Sequence, residues 1–226
     1  MLGHKVVGID VDEAKVAKLN AGQAPFHEPG FDELLAEQIA SGRLRFATDP
    51  AAGAQAKIHF IGVGTPQLPG RNAADMRYVR AAVDDLLANA EPTDGPAIIA
   101  GKSTVPVGTA AQIAQTADES GKDLIVVWNP EFLREGFAVQ DTLHPDRIVY
   151  GLPDDPTRAE LATKIMDDCY RQLLNEQIPR LTTNYATAEL VKVAANSFLA
   201  TKISFINAMA ELCDATGGDV TELAHA

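Results

Sequence analysis

The sequence has few cysteines, no long hydrophobic run and no excess of basic residues, and each shortage excludes a class of protein. Two cysteines in 226 residues cannot build a disulfide framework. No apolar run approaches the roughly 20 residues of a membrane span, and no apolar signal segment follows the first lysine. A net charge of −12 repels nucleic acid. We therefore expect a reduced, cytoplasmic protein with no nucleic-acid or membrane partner.

Apolar runs alternate with amphipathic stretches over the first 180 or so residues, and hydrophobic residues make up 46% of the chain. This alternation predicts an α/β fold with a mostly parallel, Rossmann-like sheet. The predicted strands lie at 5–10, 44–48, 58–63, 97–101, 124–128 and 147–151. The predicted helices lie at 12–20, 31–41, 76–89, 109–120 and 156–174.

The pattern changes after Tyr185, because residues 187–215 contain neither Gly nor Pro and are rich in Ala and Leu. This predicts one long helix, apolar on most sides and therefore buried or at an interface. We expect a dinucleotide-binding domain over 1–183 and the start of a second, helical domain over 184–226.

Both ends depart from the usual dinucleotide-binding pattern. Such folds open with a strand, a Gly-rich turn and a helix. This chain begins on what we predict to be the second strand, so its sheet is expected to lack the first one. The tail after Gly218 stops partway into another predicted helix.

An acidic residue, Asp10, ends the first predicted strand. A carboxylate there binds the ribose hydroxyls of NAD and repels the 2′-phosphate of NADP. The alternative is an N-cap of the next helix. Lys15, in the first turns of that helix, either contacts a ribose or phosphate or is an ordinary solvated lysine.

Two further strand ends carry hydroxyl groups. In the segment 62–66 the glycines let the backbone approach a ligand and Thr65 offers a hydroxyl, although an ordinary turn is the alternative. The segment 103–109 places Thr104 at the carboxyl edge, where open α/β sheets bind ligands. The alternative there is a helix cap at Thr109.

The segment 129–136, Asn-Pro-Glu-Phe-Leu-Arg-Glu-Gly, is the most unusual. Glu131 and Glu135 place two carboxylates at the same edge, which suits acid–base chemistry or polar contacts with a substrate. A solvated loop is the alternative, and the apolar Phe132-Leu133 between the charges speaks against it.

Lys192 and Asn196 are four residues apart on the long predicted helix and therefore share a face. Their neighbours are apolar, and a buried lysine is either paired or functional. Such a lysine can transfer a proton or stabilise an alkoxide. The alternative is a lysine that extends from an interface into solvent. Cys169 and Cys213 are predicted to be structural.

These segments, in this order, resemble the UDP-glucose/GDP-mannose dehydrogenase family. The matching pieces are 2–10, 28–30, 63–66, 103–109, 129–136, 145–149 and 192–196, which extend over essentially the whole chain. The Pro-Asp-Arg at 145–147 is more similar to the UDP-glucose branch than to the GDP-mannose branch.

The resemblance implies a two-step oxidation of the C6 alcohol of UDP-glucose to UDP-glucuronate by NAD. In the family, a cysteine captures the aldehyde as a thiohemiacetal, which is oxidised to a thioester that water hydrolyses. The resemblance implies no metal, and it implies a homodimer formed through the long helix 187–215.

The resemblance also assigns roles to side chains. Those that would contact NAD are Asp10, Lys15, Thr65, Thr104 and Glu135. Those that would hold the sugar are Glu131, Phe132, Leu133, Lys192 and Asn196. Lys192 and Asn196 would stabilise oxyanions or position water. Glu131 would assist proton transfer or thioester hydrolysis, and Thr104 would order the catalytic water.

Two departures from the family bear on activity. Its Gly-rich turn would precede Met1 and its nucleophilic cysteine would follow Ala226, so this chain is not expected to catalyse the full reaction. Two alternatives stay open. A β-hydroxyacid dehydrogenase has a similar lysine and asparagine on a long helix, although the segment 129–136 speaks against it. The other alternative is a fragment that folds or oligomerises without turnover.

Overall fold

The computed structural model describes residues 2–226, and it has the predicted α/β architecture followed by a long helix. The strands are β1 (Val6–Ile9), β2 (Leu44–Ala47), β3 (Ile58–Ile61), β4 (Ala97–Gly101), β5 (Leu124–Trp128), β6 (Ile148–Leu152) and β7 (Arg180–Asn184). The helices are α1 (Glu13–Asn20), α2 (Phe31–Ala40), α3 (Arg77–Asn89), α4 (Thr109–Glu119), α5 (Ala138–Leu143), α6 (Pro156–Cys169), α7 (Arg171–Asn175), α8 (Tyr185–Thr216) and α9 (Val220–His225). A short 3₁₀ helix lies at Pro50–Gly53.

The strands form two separate groups within residues 2–226. β1 pairs in parallel with β2, and β3 to β7 form a five-stranded sheet in chain order. The five-stranded sheet is parallel except between β5 and β6, so the expectation of a mostly parallel sheet is confirmed. The orders β2-β1 and β3-β4-β5 correspond to the 3-2 and 4-5-6 portions of a dinucleotide-binding sheet.

The core covers both faces of the five-stranded sheet. β4 and β5 are buried along their whole length, as expected for parallel strands with both faces covered. One face packs Val79, Ile99, Ile113, Val126 and Trp128, and the other packs Ile98, Ile125, Tyr150, Met166 and Leu173. β1 is different, since Val6 and Ile9 are 51% and 41% exposed.

A single glycine sets the spacing at the end of β4. A Cβ on Gly101 would overlap the ring of Trp128 on the neighbouring strand. Gly101 therefore lets the buried indole lie against the β4 backbone. This close packing fixes the carboxyl ends of β4 and β5, where the candidate site residues follow.

The structure departs from the predicted elements in three places. The helix predicted over 156–174 is interrupted at Tyr170, which separates α6 from α7. The strand β7 was not predicted, because its residues are mostly polar and mostly exposed. The short helix α5 was not predicted either, since six residues are too few to show a helical period.

The long helix α8 has 32 residues and matches the predicted one within two residues at its start. Asn184 caps it by accepting from the Thr187 N–H, and Gly217 ends it in the left-handed conformation. Its first three turns pack on the sheet, whereas its later apolar residues are exposed, so the expected burial is limited to its first turns and Cys213. Within residues 2–226, no helix combines the length and the apolar character that crossing a membrane requires.

Candidate functional site

Asp10 lies just beyond β1, as predicted, and forms an ion pair with Lys15 on α1. Its carboxylate also accepts from the Asp12 N–H at 3.1 Å. The hydrogen bond from Lys15 lowers the pKa of Asp10, and partial burial opposes this only in part. The alternative that Asp10 caps α1 is wrong, because Asp12 accepts from the first-turn N–H groups of Ala14 and Lys15.

The loops after β3 and β4 are tied to each other. The Thr65 hydroxyl donates to the Thr104 carbonyl at 2.8 Å, and the Ser103 hydroxyl donates to the Val63 carbonyl at 2.7 Å. No atom lies within 4 Å of the Cβ positions of the glycines at 62 and 64. The end of β3 therefore presents open space to a ligand, bounded by two threonines.

Glu131 and Lys192 form the centre of the site. The Lys192 Nζ donates to the Glu131 carboxylate at 2.8 Å and also to the Glu131 carbonyl. Lys192 is 7% exposed, so its predicted burial is confirmed, and it is paired. Burial raises the pKa of Glu131, but the hydrogen bonds from Lys192 and the Leu133 N–H outweigh burial, and the pKa lies below its ordinary value. Glu131 is therefore ionised at neutral pH.

The aromatic ring of Phe132 lies close to two cations. The Lys192 Nζ is 5.5 Å from the ring centroid, and the Arg147 guanidinium is 4.6 Å from it. Cations at these distances are attracted to the ring face. Arg147 belongs to the Pro-Asp-Arg segment at 145–147, and sequence reasoning gave it no role in the site.

A second lysine, the half-buried Lys102, was also missed. Its Nζ lies 3.3 Å from Asn129 Oδ1, 3.4 Å from the Tyr170 hydroxyl and 5.4 Å from the centroid of the Phe60 ring. Burial lowers its pKa to about 8, although attraction to Glu131 opposes this. The only sign in the sequence that Lys102 could belong to the site is its position directly before the segment 103–109.

Two buried glutamates, Glu28 and Glu189, hold the loops of the site. Glu28 belongs to a segment that carries the family resemblance, but the sequence assigned a role to neither residue. Glu189 accepts from the N–H groups of Gly108 and Ala110, both at 2.7 Å, at the start of α4. The alternative of a cap at Thr109 is therefore wrong, since the capping carboxylate comes from α8. The Glu28 carboxylate likewise accepts from two backbone N–H groups, those of Gly136 and Ala138, just after Glu135. Their spacing along the chain gives no local signal for these contacts.

Other candidates are not brought into contact. Among residues 2–226, no hydrogen bond or ion pair joins Asp10 to Thr65, Thr104 or Glu135. The remaining candidates that are exposed are Leu133, Glu135 and Asn196.

Within residues 2–226, no hydrogen bond joins the side chain of either cysteine to the Lys192–Glu131 pair. Cys213 is 7% exposed near the end of α8. Burial raises the pKa of the Cys169 thiol, and the nearby Lys102 opposes this only in part. A thiol with a raised pKa is a poor nucleophile at neutral pH.

Comparison with known proteins agrees with this arrangement. Residues 1–174 match the model of the UDP-glucose/GDP-mannose dehydrogenase family, NAD binding domain, and residues 186–226 match the central domain of the same family. A UDP-glucose 6-dehydrogenase of Rhizobium meliloti is 44% identical over 99% of this chain and 50% of its own length.

Solved structures give the same result. A UDP-glucose dehydrogenase from Pyrobaculum islandicum is 40% identical with a TM-score of 0.86, over 98% of this chain and 50% of that one. A GDP-mannose dehydrogenase from Pseudomonas aeruginosa is 29% identical with a TM-score of 0.89, over 99% and 51%. The chain thus spans about half the length of the relatives it matches. It belongs to the UDP-glucose/GDP-mannose dehydrogenase family.

Proposed function

We propose that this chain provides the NAD site and part of the sugar site of an enzyme that oxidises C6 of UDP-glucose to UDP-glucuronate. The observation that carries this proposal is the pair of the buried Lys192 and the half-buried Glu131, which lies between the carboxyl end of β5 and the first turns of α8. The 44% identity to the Rhizobium meliloti UDP-glucose 6-dehydrogenase supports UDP-glucose as the sugar nucleotide.

The strand ends fit a dinucleotide. The Asp10 carboxylate would bind the ribose hydroxyls, and the cofactor would approach the backbone at the end of β3, between Thr65 and Thr104. Lys15 would fix the Asp10 carboxylate, and Glu135 would reach the cofactor from the exposed loop after β5. NAD, when bound, supplies the hydride acceptor.

Lys192 would act on the sugar. Its ammonium is fixed by Glu131, so it can face an oxygen that becomes negative without reorganising. Such a cation stabilises the transition state more than the ground state. Asn196, one turn further along α8, would hold the same oxygen or a water, while Phe132 and Leu133 would contact the sugar.

Glu131 would serve as the proton acceptor. Its pKa lies below its ordinary value, so it is ionised when substrate arrives. Thr104 would order the water that the last step consumes.

The complete oxidation needs a nucleophilic cysteine, and we assign this role to neither cysteine of the chain. Cys213 is buried, and the raised pKa of the half-buried Cys169 disfavours its thiolate. We therefore expect no conversion of UDP-glucose to the acid by these 226 residues with NAD. Formation of UDP-glucuronate in that assay would contradict the assignment.

Three features of the architecture belong to the same proposal. We place the domain boundary between 183 and 184, so that 184–226 begin the helical domain. Within residues 2–226, β1 and β3 each have one edge without a partner strand, and these edges would flank the position of the first strand in the dinucleotide-binding order. The exposed apolar side chains of α8 would form the contact between two copies of the chain in a homodimer. Light scattering measures the mass in solution, and the mass of a monomer would contradict this part of the proposal.

The first prediction concerns cofactor choice. Titration calorimetry on this chain should show tighter binding of NAD than of NADP, since the Asp10 carboxylate repels a 2′-phosphate. Asp10→Ala should narrow the difference, whereas Asp84→Ala, on an exposed face of α3, should leave it unchanged. Equal binding of both nucleotides by the unaltered chain would refute the assignment.

A further inference from the structure

Glu28 is a buried carboxylate that bonds backbone N–H groups of a distant segment. It lies in the connection between α1 and α2 and is 6% exposed. Its Oε2 accepts from the Gly136 N–H at 2.9 Å and its Oε1 from the Ala138 N–H at 2.7 Å. Within residues 2–226, no basic side chain lies at ion-pair distance from it. The carboxylate is therefore held mainly by charge-assisted hydrogen bonds to the segment after Glu135.

These two bonds connect the two groups of strands. Glu28 belongs to the part of the chain that forms β1 and β2, which shares no ladder with β3 to β7 in the part of the chain described. A cavity of about 480 Å³ lies beside Glu28, between the α1–α2 connection and the loop 131–136. Apolar packing is incomplete at this cavity, so the hydrogen bonds of Glu28 carry much of the local attachment of the α1–α2 connection to residues 136–138.

The loop 131–136 is held against α5, so a contact that restrains the end of the loop also restrains the residues before it. The Arg134 guanidinium bonds both oxygens of Asp141 on α5, at 2.6 and 3.0 Å, and the Arg134 N–H bonds the same carboxylate. Fixing Gly136 and Ala138 therefore restricts Glu135 directly and Glu131 through the braced loop.

We propose that Glu28 is a positioning residue that couples cofactor binding on the β1 side to the placement of Glu131 and Glu135. The coupling rests on the proposed function, since it takes the Asp10 side and the loop 131–136 to be two parts of one NAD site. The attachment of Glu28 to residues 136–138 and the coupling of NAD binding to the loop 131–136 are separate quantities, and each has its own measurement.

Attachment is measured by amide hydrogen exchange in the nucleotide-free chain. Glu28→Gln keeps one acceptor oxygen and Glu28→Ala keeps none, so exchange at Gly136 and Ala138 should rise in that order. We expect an increase of about tenfold or more for Glu28→Ala. Glu37→Gln, an exposed glutamate of α2, is the matched control and should change nothing. Unchanged exchange at 136–138, or an equal rise throughout β4 and β5, would overturn the proposal.

Coupling is measured by adding NAD. In the unaltered chain NAD should slow exchange across 131–138, and Glu28→Gln should weaken both this protection and NAD affinity by about fivefold or more. Faster exchange at 136–138 with unchanged NAD affinity would overturn the coupling. A chain that binds no NAD would overturn the proposed function instead, while exchange in the free chain would still decide the attachment. If Glu28→Ala does not fold, Glu28→Gln decides both.

Discussion

At the scale of the single residue, the charged form of Lys102 lowers the stability of the folded state. Its ammonium is surrounded by the Phe60 ring, the Asn129 amide oxygen and the Tyr170 hydroxyl. None of these groups is a carboxylate, and burial lowers its pKa to about 8, from 10.5. Between these two values the unfolded chain binds a proton that the folded chain does not. The folded state is therefore penalised below pH 8 and gains relative stability as the pH rises through this window.

The resulting prediction compares the unaltered chain with Lys102→Met. The free energy of unfolding of the unaltered chain should rise relative to that of the variant by about 2 kcal/mol between pH 8 and pH 9.5. Tyrosine and cysteine ionisation in the unfolded chain is common to both proteins and cancels in the comparison. Denaturant unfolding at several pH values measures the difference, and Lys164→Met, on the exposed side of α6, is the control. If the difference in free energy of unfolding between the two proteins did not change with pH, Lys102 would have an ordinary pKa.

At the scale of the element, α8 is held to the sheet by both polar and apolar contacts in its first three turns. The Glu189 carboxylate caps α4, and Lys192 bonds Glu131 one turn later. Ala188 packs so closely on β6 that a Cβ on Gly151 would lie 2.6 Å from it. These contacts fix the rotation of α8 and therefore the direction in which Lys192 points.

Removing the Glu189 carboxylate should loosen this attachment. Glu189→Ala leaves two buried N–H groups at the start of α4 without acceptors, which we expect to lower the free energy of unfolding by about 2–4 kcal/mol. Glu189→Gln keeps one acceptor and should cost less. Glu211→Gln, exposed on the same helix, should change stability little. A loss below about 0.5 kcal/mol for Glu189→Ala would mean that apolar packing alone places α8.

The sequence predicts elements well where a hydrophobic period is present and poorly where it is absent. β4, β5 and α8 were predicted within about two residues, because apolar runs and a Gly stop mark them. β7 was missed because it is polar, and its pairing with β6 gives it its shape. Lys192 was predicted to be buried because apolar neighbours surround it at helical spacing.

At the scale of the whole molecule, the contacts that assemble the site are the ones that the sequence could not give. Glu28 and Gly136 are 108 positions apart, and Glu189 and Gly108 are 81 apart. No local periodicity encodes such pairs, and only the folded chain brings them together. The family could be predicted nonetheless, because its short motifs occur in order along the chain, several of them at the carboxyl ends of strands.

We expect no nucleotide to bind at a second cavity of the molecule. A cavity of about 390 Å³, the amino-end cavity, lies near the starts of β3 and β4 and is lined by Gln55, Asn89 and Glu91 with several alanines. It has no basic side chain and no hydroxyl group in its lining. Open α/β sheets bind ligands at the carboxyl ends of their strands, so this cavity serves as an internal control.

The central claim, that this chain binds NAD at the carboxyl ends of its strands, is tested most directly by mapping amide resonances during an NAD titration. We expect saturable shifts at Asp10, Thr65, Thr104 and Glu135, together with their neighbours, and none around the amino-end cavity. Shifts confined to the amino-end cavity, or no saturable shift at any of the four residues, would contradict it.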